Sequence, residues 1–150
     1  MKNSTFLMLF IALAAGATLY LTGFWTDGGS GFGSEGLRFE HSYANALKES
    51  QRTHKPIVLI FSATWCGPCK QMKADVYPSA AVKPYHDKFV WAYLDVDEPS
   101  NHQIAQQFNV RGIPHIEVIN AAGNSVYQQT GGSSPADLAA SLESAYAAAK

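Results

Sequence analysis

Both cysteines of this 150-residue chain lie in one stretch, Ala63-Thr64-Trp65-Cys66-Gly67-Pro68-Cys69-Lys70, three positions apart. That spacing constrains the fold more than any other feature of the sequence. A disulfide across it closes a tiny loop, and short loops remove little entropy from the unfolded chain. The fold therefore cannot lean on a covalent staple and must be held by its apolar core. The cysteines are left for chemistry.

The apolar supply is more than one core needs. Hydrophobic residues make up 47% of the chain, and a run of them stands at the N-terminus. From Phe6 to Trp25 no residue carries a charge, and Lys2 precedes the run. About 20 such residues suffice for a membrane-spanning helix. The rival reading is a signal peptide, with Phe6 to Ala14 as the apolar segment and cleavage after Ala17 in Ala15-Gly16-Ala17. Cleavage there leaves Thr18 to Trp25 as an apolar new terminus with nothing to bury it, so the uncleaved anchor over residues 6–25 is favoured. A buried core helix would show a polar face, and this segment shows none. Either leading reading exports the rest of the chain, with Lys2 on the cytoplasmic side if the anchor stays. The expected place is the periplasmic side of an inner membrane, or the soluble periplasm after cleavage near Ala17.

Residues 26–36 (TDGGSGFGSEG) contain five glycines and read as a flexible linker. Three segments result: 1–25 as anchor or signal peptide, 26–36 as linker, and 37–150 as one globular domain. The net charge of −1 and the lack of any basic run exclude a general nucleic-acid binder.

Inside the domain, helical and strand patterns alternate. Phe39 to Thr53 reads as a helix, and Pro56 ends it. Ile57 to Phe61 is a buried strand, apolar on both faces. A helix is predicted from the cysteines to about Tyr77, a short helical piece over Ser79 to His86, a strand over Phe89 to Val96, and a helix over Asn101 to Phe108. His115–Asn120 and Ser125–Thr130 form a hairpin. Ser134 caps a last helix with Pro135 in its first position. The pattern predicts an α/β fold: a central mixed β-sheet with helices on both faces, preceded by the N-terminal hydrophobic helix.

Cys66 then falls where a buried strand hands over to a helix. Free backbone N–H groups and the helix dipole at that point favour a thiolate. Cys69, one turn further on the same face, is expected to be the more buried of the two. Cys66 is the candidate nucleophile and Cys69 the residue that resolves the mixed disulfide.

Trp65-Cys66-Gly67-Pro68-Cys69-Lys70 after a strand, with Arg111-Gly112-Ile113-Pro114 some forty residues later, resembles the thioredoxin superfamily over nearly all of residues 37–150. Lys55-Pro56, the long first helix and Leu94-Asp95-Val96-Asp97 are similar to its exported branch, which includes the C-terminal domain of the thiol–disulfide interchange protein DsbD. The resemblance implies the thioredoxin fold and makes Cys66–Cys69 a redox-active disulfide. It makes Pro114 a cis-proline and puts Trp65, Gly67, Pro68, Ile113, Pro114 and Gly131 in the substrate-binding groove. It implies protein thiols and disulfides as substrates, a membrane thiol carrier as reductant, and no cofactor or metal. Haem attachment would need histidine where Lys70 stands, and two cysteines with His115 fall short of a four-ligand zinc site.

The implied activity is a protein-disulfide reductase. Gly-Pro between the cysteines and Ile113 before the proline resemble reductases rather than the oxidase DsbA. The alternatives are an oxidase or isomerase, and a non-catalytic binding or chaperone-like module. One departure stands out. The buried aspartate of thioredoxins, six residues before the first cysteine, is Ile60 here, and its lysine partner is Tyr93. A resolving thiol in apolar surroundings gives up its proton reluctantly. His115, next to Pro114, is therefore the candidate proton acceptor, with packing at the strand start as its other reading. Lys70 and Lys73 are candidates to stabilise thiolate.

Overall fold

The run Ile57-Val58-Leu59-Ile60-Phe61 is apolar on both faces, so it is satisfied only between two covering layers. The computed structural model of the protein, which describes residues 36–150, puts it there. Strand β1 (Ile57–Ser62) is buried along its whole length. It pairs in parallel with β2 (Val90–Asp95) and antiparallel with β3 (His115–Ile119), and β3 pairs antiparallel with β4 (Ser125–Thr130). The sheet order is β2-β1-β3-β4.

Two helices cover each face. The side chains of Ile57, Leu59 and Phe61 share a cluster with Ala46 of α1 (Tyr43–Thr53) and Ala105 of α3 (Pro99–Gln107). Those of Val58 and Ile60 meet Met72 and Val76 beyond α2 (Gly67–Gln71), and Leu138 and Leu142 of α4 (Pro135–Ala148). The period-2 alternation of one strand thus feeds two cores. The expected mixed sheet with flanking helices is present. The expected N-terminal hydrophobic helix, the anchor or signal peptide, and nearly all of the linker lie outside the described residues.

Local differences from the sequence reading have physical causes. The first helix begins at Tyr43, not Phe39, because Glu40 is drawn into an extended bridge beside Ala92. Its N–H donates to Trp91 O and its carbonyl accepts from Tyr93 N, both at 2.8 Å. Phe39 packs edge-on to Tyr77, Trp91 and Tyr93, which holds the segment out of the helix. The cysteine helix widens after Gln71 into a π-helical turn over Met72–Val76, where Tyr77 N reaches back to Met72 O at 3.0 Å. The short helical piece is a 3₁₀ segment at Lys83–Lys88, later than expected and opened by Pro84. At α4, Ser134 Oγ accepts the Asp137 N–H at 3.2 Å, the cap the sequence predicts.

Candidate active site

Cys66 stands at the end of the β1 connection and caps the short helix α2, with extended backbone (φ −78°, ψ 103°). Its sulfur accepts the backbone N–H of Cys69 at 3.2 Å. Pro68, near the helix start, has no N–H to leave unpaired. The two sulfurs are bonded, with the Cα atoms 5.3 Å apart. Cys66 and Cys69 are 4% and 1% exposed, so the resolving candidate is slightly the more enclosed. Gly67 and Pro68 beside them are exposed.

Across from the pair lies the loop that enters β3. Ile113 packs against the small cluster formed by Ala63, Cys66 and Cys69, and Val96 joins it. The Ile113–Pro114 peptide is cis. The carbonyl of Pro114 accepts the Gly131 N–H at 2.8 Å, which brings the end of β4 beside this loop. Gly131 has φ +98°, a conformation that suits glycine and few other residues.

Trp65 is 67% exposed, the one large apolar side chain among the described residues that stands so far out. Its indole Nε1–H donates to Asp97 Oδ2 at 2.8 Å, and Asp97 N in turn donates to Asp95 Oδ1 at 3.0 Å. This holds the ring over a cleft of about 210 Å³ that also includes Val96, Ala105, Val110, Gly112 and Ile113. Exposed apolar surface beside a buried disulfide suits an extended polypeptide segment.

The groove residues named from the sequence do not all meet in one place. Trp65 and Ile113 share the cleft, Pro114 and Gly131 form the facing edge, and Gly67 and Pro68 flank the sulfurs. Two further residues belong with them that the sequence reading passes over. Val96 packs on the cysteine cluster and Asp97 positions Trp65. Their signal lies in Leu94-Asp95-Val96-Asp97, where an apolar residue between acids follows a strand end.

Among the described residues, His115 makes no hydrogen bond to Cys69, and its partners lie elsewhere. It stands opposite Phe61 in the sheet, and the rings are 5.9 Å apart. That is the face covered by α1 and α3, whereas Ile60 faces the helix that follows the cysteines. Both ring nitrogens already have partners, Nδ1 with Thr130 Oγ1 at 2.7 Å and Nε2 with Glu117 Oε2 at 3.1 Å. Neither is left for Cys69. Lys73 lies with its ammonium 4.3 Å from the centre of the Tyr93 ring, and Lys70 is exposed.

A dithiol at a strand-to-helix junction of this kind can cycle between disulfide and dithiol, with one sulfur exchanging with a partner while the other waits one turn behind.

Comparison with known proteins agrees with this geometry. The family described as a thioredoxin-like domain matches residues 43–146. The chain is 30% identical over 112 residues to the chloroplastic thioredoxin-like protein HCF164 of Oryza sativa subsp. japonica, covering 75% of this chain and 42% of that protein. Among solved structures, the oxidoreductase DsbH superposes with a TM-score of 0.61 at 26% identity, covering 77% of this chain and 85% of its own. The C-terminal domain of Neisseria meningitidis DsbD in its oxidised form shares the fold, with a TM-score of 0.61 and 23% identity over 71% of this chain and 97% of that one. The chain spans less than half the length of the curated relatives it matches, plant protein disulfide-isomerases among them.

Proposed function

We propose that this chain, which belongs to the thioredoxin-like domain family, is a protein-disulfide reductase working in an exported compartment. The observation that carries the reading is the Cys66–Cys69 disulfide at a strand-to-helix junction, packed against Ile113 beside the cleft under Trp65. In the dithiol state, Cys66 attacks one sulfur of a client disulfide. The client's other sulfur leaves as a thiolate, and a mixed disulfide joins Cys66 to the client. Cys69, deprotonated, then attacks the Cys66 sulfur and expels the second client thiolate. Two electrons pass to the client, and the chain is left with the Cys66–Cys69 disulfide.

Turnover needs a dithiol donor that reduces the Cys66–Cys69 disulfide back to the dithiol and is itself left as a disulfide. In an oxidising compartment no glutathione pool supplies it, so a membrane thiol carrier is the proposed reductant. Residues 6–25 act as an uncleaved anchor that keeps the domain beside that carrier, residues 26–36 as the tether, and residues 37–150 as the catalytic domain. Cleavage near Ala17, giving a soluble periplasmic protein, is the competing arrangement.

A second reading has one observation in its favour: several relatives are named protein disulfide-isomerase. The reduction potential separates the two. A reductase poises its pair at about −270 mV, whereas isomerases and oxidases lie at about −180 to −120 mV. Equilibrating the protein with defined glutathione buffers and counting free thiols gives the value. A potential above roughly −200 mV overturns the reductase direction.

A further inference from the structure

Behind the client-facing edge lies a polar chain that the redox cycle does not use. His115 and Glu117 are 3% and 2% exposed, two positions apart on β3, and so on one face of the sheet. Glu117 Oε2 accepts from His115 Nε2 at 3.1 Å, and Ser125 Oγ donates to the other carboxylate oxygen. His115 Nδ1 bonds Thr130 Oγ1 at 2.7 Å, and His115 and Thr130 stand directly opposite each other across the β3–β4 pair. With the neutral ring, Nδ1 accepts the threonine hydroxyl; with imidazolium, it donates to it. Either form that donates Nε2–H to Glu117 keeps both links.

Desolvating two such groups is expensive, and an apolar pair of similar size would hold the sheet at least as well. Stability does not account for them, but geometry can. Thr130 precedes Gly131, whose N–H is held by Pro114 O, and His115 follows Pro114. A Cβ added at Gly112 would lie 3.3 Å from Thr130 Cγ2, so the threonine methyl already fills the space beside the loop that carries Ile113. The chain Glu117–His115–Thr130 therefore ends on both strands of the edge that faces the cysteines.

We propose that Glu117, His115 and Thr130 are positioning residues for client recognition. Their hydrogen-bond chain, buried at His115 and Glu117 and ending on the exposed Thr130, fixes the Pro114–Gly131 edge in the register an extended client segment needs. The proposal rests on the reductase reading for its effect on clients. It gives His115 no part in proton transfer.

The test uses the full-length protein, with insulin as the disulfide client and dithiothreitol as electron source. Thr130→Val removes the hydroxyl while keeping the shape, and Glu117→Gln removes the charge. Each should raise KM for insulin by about fivefold with kcat nearly unchanged, the size expected for losing one positioned hydrogen bond. The rate with a small aromatic disulfide, which needs no edge, should stay the same. Thr130→Ser should restore the wild-type KM. Amide exchange at Gly131, followed by NMR, should quicken in Thr130→Val by a similar factor.

Should Glu117→Gln fail to fold, Thr130→Val decides. An unchanged KM and unchanged Gly131 exchange in Thr130→Val overturn the proposal, as does an equal loss of rate toward insulin and the small disulfide. A wild-type protein inert toward insulin removes the reductase reading alone. The Gly131 exchange rate then still decides the positioning role.

Discussion

Ile60 on β1 stands directly opposite Tyr93 on β2. The resemblance to thioredoxins leads one to expect an acid and a lysine at these two places. Here an aliphatic side chain meets a phenol. Ile60 is wholly buried in the cluster that holds Met72 and Val76, beyond the cysteines. The Tyr93 hydroxyl bonds Ser62 Oγ at 2.6 Å, one side-chain period further along β1. Beside this position stands a serine–tyrosine pair with the Lys73 ammonium over the ring. No carboxylate faces it from β1 or β2 at that register.

The environment therefore rejects the family's own residue. Ile60→Asp should destabilise the domain by roughly 3 kcal/mol or more at neutral pH, through lost apolar packing and a buried carboxyl without a partner. Burial would raise the folded-state pKa of the introduced carboxyl above its unfolded value of about 3.9. Stability is then lost as pH rises from that value through the folded pKa. Urea unfolding should show a smaller gap from wild type at pH 4 than at pH 8. Adding Tyr93→Lys should narrow the neutral-pH gap. A pH-independent gap would mean that the position is wetter than the structure places it.

The two sulfurs should have separable parts. With Cys69→Ser, Cys66 can still form a mixed disulfide but nothing resolves it. This variant should accumulate covalent adducts with exported proteins that vanish on reduction, and its insulin-reducing turnover should fall by at least about 100-fold. Cys66→Ser should trap almost nothing. Non-reducing gels of both variants check the assignment, and trapping by Cys66→Ser alone would reverse it.

The parts of the site that read clearly from the sequence are those fixed by local chemistry. A strand buried on both faces, a cysteine at the turn into a helix, and a serine–proline helix start each depend on a few adjacent residues. Ile57–Ser62, Cys66 and Ser134–Pro135 stand where that chemistry puts them. The features hidden from the sequence depend on contacts between distant segments. Phe39 and Glu40 leave the helix because Trp91 and Tyr93, some fifty residues away, offer ring faces and backbone partners. Asp97 matters because Trp65 swings over to it. His115 reads as a proton acceptor only because Pro114 is its neighbour. Its actual partners, Glu117 and Thr130, are set by strand alternation and by hairpin register. In the run His115-Ile116-Glu117, only the full sheet reveals that both polar residues are buried.

The proposed exported, anchored arrangement has its own test. Full-length protein should remain in the membrane fraction after high-salt and carbonate washes, and its cysteines should be open to a membrane-impermeant thiol reagent once the pair is reduced. A mature N-terminus at Thr18 in the soluble exported fraction would establish cleavage instead.

Tyr77 gives a prediction about the core beside the cysteine helix. It is 1% exposed, and its hydroxyl has no hydrogen-bond partner among the described residues. Burial, with a smaller contribution from Tyr93, holds its ionisation well above the ordinary tyrosine range. The unfolded chain ionises at about pH 10, while the folded one stays neutral. Stability from this group is thus complete below pH 10 and is lost as pH rises through the folded value. Tyr77→Phe keeps the ring contacts with Phe39 and Trp91 and removes an unpaired buried hydroxyl. It should stabilise the domain by about 1 kcal/mol at pH 7. It should also flatten the fall in stability between about pH 10 and pH 12. Chemical denaturation at pH 7 and pH 11 reads both effects. A loss of stability at pH 7 would mean that the hydroxyl is hydrogen-bonded, and an unaltered alkaline slope would place the charge-sensitive tyrosine elsewhere.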